Sequence, residues 1–421
     1  MGASTPLGIR VPRFTREVLE DDLIEGYWLE APDIDGDTRP DLVGHGLYLG
    51  ELYWYQNPGW RKRLVADGFH MPIGAHFGDI SGNGHPDIVV CYELYGARGR
   101  IDDPDPEGGK IDWIENTGKF DTETRWKRHY IGRETAMHRL RLGHFTQTRR
   151  LELMALPTVG AHHVHALVPV VLFSPNNDVR QPWDKRILDD AHFRMIHGVE
   201  IQQNPLPGSE HLDSILLASE EGVNWLHYDE REHRFTTTHI GDGEHERFDA
   251  TGFKGSGDVG AGRIGDDPHA YVVATEPFHG NTVAAYIKEE PGTLVTEVTW
   301  RRIVLDVFGD PNELGEGPSH QIVCADFDND GDDEFLVALR GPRPWQGVFY
   351  YKCLDVAAGV FVKWRVSSDS AARIAIGDFN GDGRLDFATI AYKVDKYFLA
   401  EDAKLCLFRN AIDDAEEAGQ P

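Results

Sequence analysis

Basic side chains are scarce in this sequence: 42 lysines and arginines stand against 70 aspartates and glutamates, a formal charge of −28 over 421 residues. Phosphate backbones are bound by clustered Lys and Arg, so no nucleic-acid partner is expected. Cysteine is scarcer still. Cys91, Cys324, Cys353 and Cys406 lie far apart with no CxxC pair, which points to reduced thiols on strands, not to a disulfide framework or a thiolate zinc cluster. Long apolar runs are missing, and the longest, around HALVPVVLF, is too short to span a bilayer, so no membrane partner is expected. The opening stretch MGASTPLGIRVPRFT lacks the apolar core of a signal peptide, and a cytoplasmic location is the expectation. Helical periodicity of useful length is absent, and so are GxSxG, HExxH, P-loop and dinucleotide motifs.

What the sequence does have is a repeat. The stretch DFDNDGDDEF at 326 returns as DFNGDGRLDF at 378, DIDGDTRPDL at 33 and DISGNGHPDI at 79. Degenerate relatives begin at 144, 203 and 265, which makes seven copies, each between two short apolar strands. A second marker, an aromatic followed by basic and apolar residues, also occurs seven times: FTREVL (14), WRKRLV (60), WKRHYI (126), WDKRIL (183), FTTTHI (235), WRRIVL (300) and WRVSS (364). Four strands per repeat, seven times over, predict an all-β fold, a seven-bladed β-propeller spanning 1–410 as a single domain. The aromatic strand precedes the first acidic loop, so the strand near Phe14 is expected to complete the last blade and close the ring. Residues 411–421, acidic and rich in small side chains, read as a disordered tail.

The acidic loops follow the spacing D-x-[D/N/S]-x-[D/N]-G-x-x-[D/E], which suits an oxygen cage for a hard cation, Ca²⁺ or Mg²⁺. The expected ligands are Asp33, Asp35, Asp37 and Asp41; Asp79, Ser81, Asn83 and Asp87; Asp326, Asp328, Asp330 and Glu334; and Asp378, Asn380, Asp382 and Asp386. The alternative is that some copies hold no ion and use Asp and Asn only to make turns.

Histidines share a register with these loops. His320 lies six residues before Asp326, His138 six before His144, and His197 six before Gln203. Innermost strands of a propeller run alike around the axis, so the three rings are expected at equal height, facing the channel. Three converging imidazoles suit Zn²⁺ and leave coordination positions for a substrate. Channel-lining histidines without metal are the plainer alternative. Near the same mouth lie His76, Glu276 and His279, candidates for proton transfer, and Tyr92 and Tyr95, which open an insertion at 91–110 that reads as a lid. The AHHVHAL tract (His162, His163, His165) alternates like a solvent-facing strand.

At MHRLRLGHFTQTRRLELMALP, ATEPFHGNTVAAY, VLDVFG and HQIVCADFDNDGDDEFLVAL the chain resembles the propeller domain of fungal aldos-2-ulose dehydratase/isomerase, also called 1,5-anhydro-D-fructose dehydratase. GYWLEAP and RIAIGDF extend the likeness toward both ends, and the acidic loops resemble FG-GAP and VCBS repeats. The resemblance implies zinc at the bottom of a channel cleft, acting as a Lewis acid on a keto-sugar while water is eliminated. The family enzyme continues into cupin and lectin-like domains; a propeller alone is expected to stop at the dehydrated enone sugar. The expected activity is therefore a hydro-lyase on 1,5-anhydro-D-fructose or an aldos-2-ulose through a Zn-stabilised enolate, with His279, His76, Glu276 or Tyr95 moving protons. Elimination from another keto-glycoside, or a non-catalytic carbohydrate- or protein-binding propeller, are the other readings.

Overall fold

The computed structural model describes residues 9–97, 99–120, 125–290, 292–395 and 397–412. Of the tail expected at 411–421, residues 413–421 lie outside the described residues, whereas Ala411 and Ile412 are buried, Ala411 N–H donating to the Arg13 carbonyl at 2.8 Å. Seven four-stranded antiparallel sheets form the ring, and the only helix among the described residues is a single turn, Phe248–Thr251.

The innermost strands are Trp28–Glu30, Gly74–Gly78, Met137–Gly143, Gly198–Gln203, Asp258–Ile264, Ser319–Ala325 and Arg373–Gly377, which begin blades one to seven in turn. Every aromatic-basic marker leads into or forms an outermost strand, as in Arg61–Ala66, Lys127–Arg133 and Trp300–Val307. Their exposed faces alternate with half-buried ones, so the basic residues meet water while the apolar ones rest on the blade. Each third strand buries a large aromatic: Trp54, Trp113, Phe173, Trp225, Tyr286, Tyr350 and Phe408 are all nearly inaccessible. Burying a side chain of that kind contributes up to about 3 kcal/mol, so these seven anchor the ring.

Closure follows the expected route. Phe14–Glu20 pairs with Leu405–Asn410, with Phe14 opposite Asn410, and completes the blade begun by Arg373–Gly377. Near the closure, consecutive blades are also stitched by asparagine. Asn410, Asn57 and Asn116 each donate their side-chain amide to a loop carbonyl of the preceding blade, Phe327, Phe379 and Ile34 respectively, at 2.7–2.8 Å. Because the inner strands all run one way, their starts share one face of the ring. The acidic loops, which follow their ends, occupy the other.

Candidate metal centre and the cavity above it

Four imidazoles meet where the inner strands begin. His138 and His320 sit second in their strands, His197 immediately precedes Gly198, and all three are buried. The fourth is His279, carried on the turn between strands Asp267–Glu276 and Thr282–Lys288 of blade five. Ring centroids are 5.0 Å apart for His138 and His197, 4.5 Å for His197 and His279, and 5.1 Å for His279 and His320.

Hydrogen bonds decide which nitrogens are free. His197 Nδ1–H donates to the Gly257 carbonyl at 2.7 Å, and His320 Nδ1–H donates to the Ala372 carbonyl. His279 Nδ1 stands 3.5 Å from the Glu316 carboxylate, which also takes Arg340. His197 and His320 thus spend Nδ1 on a carbonyl and turn Nε2 to their neighbours, the arrangement that fixes metal-ligating histidines elsewhere, while His279 Nδ1 faces both Glu316 and Arg340 Nη1 at 3.5 Å. One nitrogen from each of His197, His279 and His320 falls within a 4.8 Å span of the others. His320 Nε2 is buried and has no partner at all. The trio fits a borderline cation such as Zn²⁺.

This trio differs from the one the sequence register predicts. His138 is beside the cluster, but its Nε2 accepts from Arg139 at 3.1 Å and its Nδ1 is an orphan, so it stands outside the group. His279 replaces it; the turn carrying it belongs to another strand pair, which the register with the acidic loops does not follow. Burial, followed by the charges of Arg139, Arg373 and Arg340, holds His138, His197 and His320 well below the ordinary histidine range, and the same causes bring His279 to about 4. All four rings are neutral near pH 7, the state that a metal ligand needs.

Above the trio lies a cavity of about 50 Å³ lined by Tyr27, Tyr95, His138, Phe278, His279, Glu316, Tyr392 and Tyr397. The 91–110 insertion roofs it with Tyr95 and Ile101, as a lid would. Burial pushes Tyr95 and Tyr392 upward, so their phenols keep their protons. Tyr92 points elsewhere, donating to Asp112 at 3.2 Å.

Two other candidates lie away from this cavity. Glu276 is fully buried and locked by Tyr286 and Arg302, an ion pair inside blade five. His76 is at the opposite mouth of the channel, lining a separate cavity, and its Nδ1 accepts the Leu142 amide at 3.2 Å. The AHHVHAL tract is a turn-rich loop, not a strand; the exposed His162 meets Asp103 and the half-buried His165 meets Glu220. Arg139, Arg340 and Glu316 escaped the sequence reading. Only Arg139 had a signal, its place beside His138 in an alternating strand.

The acidic loops are more varied than their spacing suggests. Position nine does not face the other carboxylates in three copies: Asp41, Asp87 and Asp386 are buried and accept backbone amides, among them Asn57, Asn116 and Asn410. Position one folds the loop on itself, as Asp33, Asp79 and Asp378 each take three amides from the following residues. Asn83 bonds the Asn116 carbonyl and Asn380 bonds Asp382. Asp33, Asp35 and Asp37 still converge as a candidate cation group. In the loop at 326 the cage contains an ammonium from the protein itself: Lys352 Nζ lies 2.8 Å from Asp328, 2.8 Å from Asp330 and 2.6 Å from Glu334. Lysine thus sits among these carboxylates, while Asp326, Asp328 and Glu334 still converge as a second candidate cation group.

No helix among the described residues is long and apolar enough to cross a membrane. The four cysteines are free thiols.

Comparison with known proteins agrees with this architecture. The fold resembles a chain of the mitotic checkpoint complex (TM-score 0.52, 9% identity, 98% of each chain). It equally resembles a chain of the complex of BBS1N with ARL6DN (TM-score 0.53, 11% identity, 95% of this chain and 98% of that one). Those likenesses concern fold alone. Residues 33–90 match an FG-GAP-like repeat profile, and residues 108–289 match the profile "Aldos-2-ulose dehydratase, beta-propeller domain". The chain is 34% identical over 424 aligned residues to aldos-2-ulose dehydratase of Phanerodontia chrysosporium, which covers 94% of this chain but 46% of that protein. The chain therefore carries the β-propeller domain of the aldos-2-ulose dehydratase family.

Proposed function

We propose that this propeller is a metal-dependent hydro-lyase that removes water from a keto-sugar such as 1,5-anhydro-D-fructose or an aldos-2-ulose. The observation that carries the reading is the convergence of His197, His279 and His320, with the outer nitrogens of His197 and His320 anchored on carbonyls and one nitrogen of each ring turned to the others. A Zn²⁺ ion held there would polarise the sugar carbonyl and acidify the adjacent C–H. The proton leaving that carbon passes to Glu316, a carboxylate that lines the cavity and that His279 and Arg340 keep ionised. Glu316, held by Arg340, orients His279 through Nδ1. Tyr95, kept protonated by burial, donates to the departing hydroxyl from the roof of the cavity. His138, whose Nε2 accepts from Arg139, carries its proton on Nδ1 and offers a second donor. Arg139 also reaches His197 Nε2 at 2.9 Å, and this contact must yield when the trio takes an ion.

A cavity of about 50 Å³ holds a few water molecules, not a hexose, so the insertion carrying Tyr95 and Ile101 must lift for substrate to enter. The test is incubation with 1,5-anhydro-D-fructose and related keto-sugars, following enone absorbance before and after chelation. Growth of the signal only with a transition metal present supports the reading. Enone formation that survives complete metal stripping refutes the metal role, and the absence of turnover with every keto-sugar at full metal load refutes the activity.

A further inference from the structure

Below the histidines the channel narrows to a layer that the proposed reaction does not use. Trp28 opens the inner strand of blade one, and two guanidiniums lie against its indole: Arg373 at 4.1 Å and Arg139 at 5.0 Å from the ring centroid. Both are deeply buried, at 2% and 1% exposure. Arg139 spends its two terminal nitrogens on His138 and His197. Arg373 differs, because its Nε and Nη2 are buried with no hydrogen-bond partner.

Those two N–H groups form one edge of the guanidinium, a parallel pair of donors that matches two oxygens of a carboxylate or oxyanion. Leaving such donors unmatched away from water is unfavourable, and more so when the group is charged. The nearby acids are otherwise engaged. Asp258 takes the Ile322 amide at 2.8 Å, Glu30 takes Trp28 Nε1 at 2.9 Å, and neither pairs with Arg373. Burial, then the neighbouring Arg139 charge, pulls Arg373 down to about 10, as expected for two cations left facing each other. A cavity of about 230 Å³ lies beside this layer, lined by Trp28, Glu30, His76, Arg141, Gln321 and Ile374, the last next to Arg373 in the chain.

We propose that the middle of the channel is an anion site, in which a small carboxylate or oxyanion is held side-on by Nε–H and Nη2–H of Arg373, with Arg139 as the second positive charge. The site is separate from the tyrosine-lined cavity and stands whether or not the sugar chemistry does.

Calorimetric titration with formate, acetate and inorganic phosphate tests it, at ionic strength fixed with sodium chloride, on protein as purified and again after chelation. One oxyanion is expected to bind saturably at one per chain, at least about tenfold tighter than chloride, in both preparations. Arg373→Gln should weaken it at least about tenfold, and Arg125→Gln, at an exposed arginine, should not. Arg373→Lys, which keeps the charge but not the paired donors, should lose the preference over chloride. Labelled formate followed by NMR on the unaltered protein reports binding even if both variants misfold. The proposal is overturned if no probe binds saturably, if the Arg373 variants bind as the parent does, or if binding disappears with the metal.

Discussion

The Nε2 atoms of His197 and His279 stand 2.9 Å apart, donor distance between two rings that belong to different blades. His197 has already given its Nδ1 proton to the Gly257 carbonyl, so its Nε2 is a bare lone pair. What joins the two nitrogens is either a proton on His279 Nε2, which leaves its Nδ1 to accept from Arg340, or an ion that both ligate, which needs that proton on Nδ1 facing Glu316. That choice makes the centre testable without any substrate.

Removing a ligand should separate the two possible sets of histidines. His279→Ala is expected to weaken zinc binding by more than about 100-fold, and His138→Ala by less than about 10-fold, measured by competition with a chromophoric chelator. The reverse order would restore the set read from the loop register.

Tyr95→Phe keeps the ring in the roof and removes only its hydroxyl. Turnover on the keto-sugar should fall by about 10²–10⁴, with bound metal unchanged by elemental analysis. An unaltered rate would remove Tyr95 from the chemistry.

Lys352→Met takes away the charge shared by Asp328, Asp330 and Glu334. The loss of one partner from a buried ionic group costs about 3–5 kcal/mol, so the melting temperature in chelator should drop clearly. Millimolar Ca²⁺ should raise the melting temperature of the variant more than that of the parent, whose own response reports the group at Asp33, Asp35 and Asp37. Equal responses of both proteins to Ca²⁺ would show that no ion takes the place of lysine in the loop at 326.

Asp41 sets a pH dependence. Burial pushes its carboxyl up to about 7, against the hydrogen bonds from Asn57 and Ile34. A folded value above the unfolded value of about 3.9 favours the protonated acid, so this group's contribution is complete below about pH 4 and is lost as pH rises to about 7, amounting to at most about 4 kcal/mol. Urea unfolding of the parent and of Asp41→Asn at pH 4.5, 6 and 8 should show the parent's advantage shrinking as pH rises. A constant difference across the three would contradict the assignment.

The fold was legible because its two markers have fixed mechanical places. Trp300 and its counterparts lie at or beside the outermost strands, and the acidic loops join the first strand of a blade to the second. Spacing along one strand placed His138, His197 and His320 at one height. It could not place His279, whose approach depends on how far the turn after Glu276 leans over the channel. Nor could it pair Glu316 with Arg340, or bring Lys352 into the loop at 326, since those contacts cross between strands with no shared period. Glu276 misled for a related reason: its charge is cancelled by Arg302, a partner visible only once the strands are in register.

The pairing of Phe14 with Asn410 has a consequence for synthesis. While the ribosome works, six sheets can form in order, yet the seventh waits for a strand made almost 400 residues earlier. Until that strand finds its place, the first and last blades present open edges, so the window for aggregation lies between the synthesis of Leu405–Asn410 and the docking of Phe14–Glu20 beside it. Conditions that slow this last docking should lower the yield of protein more than the stability of what has already closed.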